Sequence, residues 1–351
     1  MDFKLTHGFF SSQENRSLRI LSKYRESECP TDDFTIIQIT IINVERMRQN
    51  MRGSSEAYLE KALSEYNEAV NALEPGGDSE ELLEAYVNRG RVLSMLEHYT
   101  SAMDDLETAS EMASRIGADD GTYVKMYAAL GELSDRFGMD PVKPLAKAAA
   151  RLGPVGPASR HFDMRGLVRT CISSAEILMD ADDYVTCMPF LEKAEACTAS
   201  KMDTWSLNRR MEILSLLGEV RSETGNPEGA EEAYGEAAGI GESLMRKNSL
   251  EDLELLAATY MAKAECDLDL GMLDMFVSDS DKAILVIKEM RELGLIDSVA
   301  EASDICHNVS SELMKAGRTE EAESYLMKAL SLSMDEAKRF SGGGDGDGED
   351  F

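Results

Sequence analysis

The chain has 351 residues, 43% hydrophobic and 6% aromatic, and its 36 basic and 66 acidic side chains leave a formal charge of −30. Such an acid excess favours a soluble monomer and argues against nucleic acid as a partner. The apolar content is too high for a disordered chain and suits a thin, continuous core.

Residues 1–30 read as an N-terminal capping segment. Ser11 or Ser12 is placed to N-cap a short helix to about Glu26, with Leu18, Leu21 and Tyr24 inward, and Cys29-Pro30 breaks it. Thr31–Asp33 then caps a longer helix through Arg52. Its run TIIQITIINV is β-branched, but its flanks and the rest of the chain are helical, so it is read as helix. Gly53–Ser55 is a turn, and Ala62, Tyr66 and Ala69 give a small–large–small spacing on the next helix. The stretch 32–74 is thus a first, divergent helical hairpin. After the break at Pro75, Gly76, Gly77 and Asp78, further hairpins are expected at 79–115, 120–152, 160–200, 203–247, 250–294 and 297–340. Four of the eight prolines, Pro141, Pro144, Pro154 and Pro157, lie close to Gly153 and Gly156, which places a kink or joint at 153–159. The sequence from Ser341 is SGGGDGDGEDF, a flexible acidic tail. The expected organisation is a cap over 1–30, three hairpins over 31–152, the joint, four hairpins over 160–340 with a C-terminal capping helix, and a tail over 341–351.

One ruler fits these hairpins. In the stretch Leu217–Ala237, Gly218 is a small residue inside a helical pattern, Gly225 stands where that helix would stop, and Pro227 where the next could start. Ala230, Tyr234 and Ala237 follow at helical spacing. The same offsets from Gly90 give Glu97, Ala102, Leu106 and Ala109. From Ala175 they give Asp182, Cys187, Leu191 and Ala194. From Ala264 they give Gly271, Phe276, Ser280 and Ala283, and from Ser310 they give Gly317, Ala322, Leu326 and Ala329. The copy that starts at Gly131 keeps Gly138 but needs a two-residue shift, to Pro141, Leu145 and Ala148. A small residue lets two helix backbones approach, and the large one fills the gap beside it.

These residues resemble the tetratricopeptide repeat family. The small residues are 41, 44, 43, 46 and 46 apart, longer than the family's usual period of about 34, so longer helices, longer connections or both are implied. The resemblance implies an all-α fold, a right-handed α-solenoid of about seven antiparallel helical hairpins. It also implies that the first helix of each hairpin lines a concave surface that binds extended peptides or partner helices. The residue after each small one, and the one four further on, share a helix face. On that face stand Glu132, the pair Glu176 and Asp180, the pair Glu219 and Glu223, and the pair Glu265 and Asp269, whereas Arg91 and Arg136 are isolated. Like charges at this spacing cost roughly 0.2–0.5 kcal/mol per pair. Three such pairs on consecutive hairpins point to an acidic groove for a basic peptide or helix, with a solvated acidic surface as the plainer alternative. Family members that clamp the acidic tails of chaperones carry basic residues on this face, so that role is not expected.

The opposite charge gathers in one place: Lys143, Lys147 and Arg151 form an i, i+4, i+8 stripe, either a solvated helix face or a dock for an anionic partner or the acidic tail. None of the six cysteines forms a C-x-x-C pair, and no zinc, phosphate-loop or nucleophile motif occurs, so no metal, cofactor or catalytic site is expected. Reduced thiols, no signal peptide and no apolar run of transmembrane length predict a cytoplasmic protein. The functional expectation is a non-enzymatic protein-interaction scaffold. The alternatives are a peptide-responsive sensor that changes shape on binding and, more weakly, a helical enzyme. Oligomeric state is left open, since an exposed last hairpin could self-associate.

Overall fold

The computed structural model describes residues 56–156, 158–159 and 162–342. The expected cap over 1–30, the helix through Arg52 and the tail from residue 343 lie outside the described residues. Thirteen helices make up almost all of the rest. They are α1 (56–73), α2 (Glu80–Met95), α3 (Tyr99–Ile116), α4 (Asp120–Arg136), α5 (Val142–Leu152), α6 (Met164–Asp180), α7 (Tyr184–Thr198), α8 (Thr204–Glu223), α9 (Pro227–Arg246), α10 (Leu253–Asp269), α11 (Leu273–Glu292), α12 (Ala300–Lys315) and α13 (Thr319–Gly342). From α2 onward they pair into antiparallel hairpins, α2–α3 through α12–α13. The chain forms two compact units, one up to Lys193 and one from Ala194. The joint read at 153–159 falls inside the first. Near it the chain forms a two-residue antiparallel ladder, β1 (Ala158–Ser159) with β2 (Phe162–Asp163).

The helices start where a side chain can satisfy their free N–H groups. Ser79, Asp119, Asp163, Asp203 and Asp252 cap the first helices of five successive hairpins, each accepting from the backbone N–H three residues on. Four of these caps are acids at a helix N-terminus, so part of the negative charge is placed where the helix dipole favours it. The long repeat period is explained by helix length: α8, α9 and α11 each have 20 residues.

The ruler describes hairpin closure. A methyl group added at Gly218 would lie 2.6–2.8 Å from three ring atoms of Tyr234. At Gly90 it would lie 3.0 Å from Cγ of Leu106 and 3.2 Å from the carbonyl oxygen of Ala102. At Gly131 it would run into Leu145, which is fully buried together with Ala148, so the two-residue shift is the register that closes α4 on α5. In two of the three hairpins whose small residue is not glycine, a polar contact stitches the same approach: Cys187 Sγ to the carbonyl of Ala175 at 3.6 Å, and Ser310 Oγ to that of Ala322 at 2.9 Å. Large residues of the ruler also reach beyond their own hairpin. Leu106 packs in one cluster with Met126 and Leu133 of α4, and Tyr234 in another with Cys266 of α10.

The seventh residue after each small one turns the chain. Glu97, Gly138, Asp182, Gly225, Gly271 and Gly317 all have positive φ, between 56° and 78°. Four are glycine, which adopts this backbone without strain, while Glu97 and Asp182 do so with a Cβ. Glu97→Gly is therefore expected to stabilise the first unit by roughly 0.5–1 kcal/mol, read as a higher urea midpoint at unchanged m-value.

Candidate interaction surface

First helices of successive hairpins lie side by side within each unit, and their contacts define the face that carries the acids. In the unit from Ala194, Ser215 on α8 and Thr259 on α10 share a 2.8 Å hydroxyl contact. Buried Asn208 donates to the Ser249 carbonyl at 3.0 Å and accepts from the N–H of Glu251 at 2.9 Å. In the unit up to Lys193, Lys125 on α4 bridges to Glu84 on α2 at 3.2 Å. Ser173 on α6 reaches toward Glu132 on α4 at 3.5 Å.

On these helices Glu132, Glu176 and Glu219 are half-buried, while Asp180, Glu223, Glu265 and Asp269 are exposed. Glu132, Glu176 and Asp180 belong to the first unit, and Glu219, Glu223, Glu265 and Asp269 to the second, on adjacent α8 and α10. The negative field there acts on a nearby thiol. Burial pushes Cys266 above its usual range, and the charges of Asp269 and Glu265 add to it, against a hydrogen bond from Ser222. A thiol held protonated in this way is not a nucleophile.

The basic stripe has a different destination. Lys147 Nζ sits 5.1 Å over the ring of Tyr127, and the Arg151 guanidinium 4.4 Å over Tyr123, the two rings being stacked on α4. Arg151 also bridges to Asp120 at 3.0 Å. Two of the three bases thus fasten α5 to α4 through cation–π contacts, and Lys143 stays exposed.

The most highly charged buried site was not singled out by the face positions. Lys263 on α10 has a side chain only 8% exposed and lies 2.9 Å from Glu231, 3.2 Å from Asp267 and 2.9 Å from Asp279. Asp267 is fully buried, and burial pushes its carboxyl up to about 6 against the pull of Lys263. Burial acts on Asp279 too, but hydrogen bonds from Lys263 and Lys282 hold it below the usual carboxylate range. On the ruler, Lys263 and Asp279 are the residue before the small one and the fifteenth after it. The same two positions in α2–α3 hold Arg89 and Asp105, joined by two hydrogen bonds of 2.7 and 2.6 Å. In α8–α9 they hold Leu217 and Ala233, in α6–α7 Ser174 and Phe190, and in α12–α13 Val309 and Tyr325, all buried. The signal that would have found the ion pairs is opposite charge at both of these inward positions.

Among the described residues no group of three or more His, Cys, Asp or Glu is arranged to hold a metal ion, and no helix is long and apolar enough to cross a membrane. Architecture and closure define a protein built of helical-hairpin repeats, and the tetratricopeptide repeat family model matches one of them, residues 303–335, which span most of α12–α13. No curated protein matches the chain. Among solved structures, the chain is similar to a signal-transduction ATPase with a tetratricopeptide-repeat sensor from Pyrococcus horikoshii, with 16% identity over 86% of this chain and 41% of that one, at a TM-score of 0.48. It is also similar to the C-terminal part of a tetratricopeptide-repeat protein from Cytophaga hutchinsonii (13%, 79% and 94%, TM-score 0.47). A third is the apo form of the quorum sensor NprR from B. thuringiensis (13%, 93% and 94%, TM-score 0.40).

Proposed function

We propose that this protein is a non-enzymatic interaction scaffold whose acidic first-helix face holds a basic peptide or helix of a partner. The observation that carries the reading is the exposure of Glu223, Glu265 and Asp269 on the adjacent helices α8 and α10. Helices already locked together by Ser215–Thr259 and by Asn208 present these charges without a conformational cost on binding. Rim charges of this kind set encounter rate and partner choice more than raw affinity. Four of the five described cysteines are buried, and a cytoplasmic compartment is part of this reading.

The test separates a site from a composition. A Lys/Arg-rich amphipathic peptide is titrated by fluorescence anisotropy at low and moderate salt. The wild type is compared with Glu176→Lys/Glu219→Lys/Glu265→Lys and with a control, Glu107→Lys/Glu232→Lys/Glu289→Lys, which reverses three exposed acids on second helices. The first variant is expected to bind about tenfold more weakly, a loss of about 1.4 kcal/mol, while the control stays within a factor of two. Equal weakening by both variants would reduce the acidic face to general charge. The division into two compact units supports a second reading, a peptide-responsive sensor. A change in radius of gyration on adding the peptide would select it.

A further inference from the structure

The last helix breaks the ruler. At the position where Leu106, Leu191, Tyr234 and Ser280 are all buried, Leu326 is 40% exposed. Leu106 and Tyr234 are covered by the hairpin that follows their own, and among the described residues none follows α13. Leu326 has company: Met327 is 64%, Leu330 52% and Met334 51% exposed. Leu326, Leu330 and Met334 are spaced i, i+4, i+8, and with Met327 they form one apolar stripe. The roll of the helix is fixed, because Tyr325 donates to Asp281 on α11 at 2.8 Å, Lys328 bridges to the same carboxylate at 3.1 Å, and Lys328 lies 4.0 Å over the Tyr325 ring.

We propose that this stripe is a self-association surface. A second copy lays its own α13 antiparallel across it, about a two-fold axis that passes beside Leu330. In that arrangement Leu330 meets Leu330, and Leu326 meets Met334. A two-fold antiparallel pair is an isologous contact, in which each helix covers the other's stripe with its own, and the area favours a second copy as the occupant. Taking about 200 Å² for a free Leu or Met residue, the four exposures leave roughly 400 Å² of apolar surface per copy, a patch of the size that marks interaction sites. Two such patches at the apolar share of about 65% found in homodimers correspond to an interface of roughly 1,200 Å², the lower bound for a specific complex. The affinity that fits is micromolar. Each copy carries −30, so long-range repulsion opposes the pairing and salt strengthens it.

Sedimentation velocity of the full chain from about 1 to 100 µM tests this. The wild type is expected to shift from monomer to dimer across the range, with a tighter dimer at higher salt. Leu330→Glu brings two carboxylates together at the axis and is expected to weaken dimerisation at least tenfold. It should not change helicity, because the side chain is exposed in the monomer. Met202→Glu, at a residue 78% exposed elsewhere in the same unit, leaves the dimer intact. Under mild oxidation Leu330→Cys links two copies, whereas Leu326→Cys, which faces Met334, does not. A wild type that stays monomeric at the highest concentration, a dimer that survives Leu330→Glu, or cross-linking at 326 in place of 330 overturns the proposal.

Discussion

Lys263→Met is expected to cost the unit from Ala194 about 3–5 kcal/mol, the price of leaving buried carboxylates without their cation. Asp267 and Asp279 are 0% and 2% exposed, and among the described residues Lys263 is the base that touches both. Methionine fills the stem's space, so the loss measures charge and not volume. The measurement is a urea titration followed by the fluorescence of Trp205, the sole tryptophan, which stands on α8 in the same unit. Removing one carboxylate as well, in Lys263→Met/Asp279→Leu, is expected to restore at least half of the loss, because Leu217 and Ala233 fill these two positions in α8–α9 without any ions. A single variant within about 1 kcal/mol of wild type would show the ion cluster to be incidental.

The same cluster fixes the sign of a pH effect. Asp267 is raised from 3.8 to about 6, so its ionisation weakens the fold above pH 6, and stability returns as pH falls from 6 towards 4. Asp279 is depressed, so its share is present above 3.8 and lost as pH falls through its lowered value. The network's contribution peaks in mild acid. Lys263→Met/Asp279→Leu loses the Asp279 limb of that profile.

Two glycines inside helices should respond to the same substitution with opposite signs. Gly218→Ala puts a methyl 2.6–2.8 Å from three ring atoms of Tyr234, whose own packing reaches on to Cys266, so α8 and α9 must separate at a cost of roughly 1–3 kcal/mol. Gly239, in the middle of α9, has nothing within 4 Å of an added methyl. Gly239→Ala is expected to gain about 0.5–1 kcal/mol from helix propensity alone. The same Trp205 titration compares both. A Gly218→Ala variant as stable as wild type would mean that the ring of Tyr234 is free to give way, and a destabilised Gly239→Ala would mean that helix propensity does not decide at that site.

The closure of the hairpins was legible because it depends on local rules. A close backbone approach demands a small residue, and a left-handed turn seven residues on favours glycine; both leave marks at fixed offsets. Even the irregular α4–α5 copy showed its shift, through Leu145 and Ala148. The destinations of charged side chains were not legible in the same way. In a chain with 66 acids, Asp105, Asp267 and Asp279 look like surface residues, and only the hairpin register turns them inward. The stripe Lys147–Arg151 could be seen as a stripe, but its seat on Tyr123 and Tyr127 required knowing which face of α4 meets α5. The aspartate N-caps were hidden for a simpler reason: many acids precede many helices, and only the backbone shows which one turns back to its N–H groups.

The alternation of ionic and apolar pairs at one position also bears on how a chain of near-equivalent helices finds the right partner. While the chain is being assembled, α8 and α10 present almost the same small-residue seat to any second helix nearby. If α11 closed on α8, Asp279 would be sealed against Leu217. If α9 closed on α10, Lys263 would be sealed against Ala233. Either error parts Lys263 from Asp279 and leaves each with the partner on its own helix, Asp267 for Lys263 and Lys282 for Asp279, so a buried ion pair is broken that the correct pairing keeps. The two kinds of hairpin thus act as mismatched keys, and neighbouring repeats in the second unit are barred from exchanging arms during folding or between molecules.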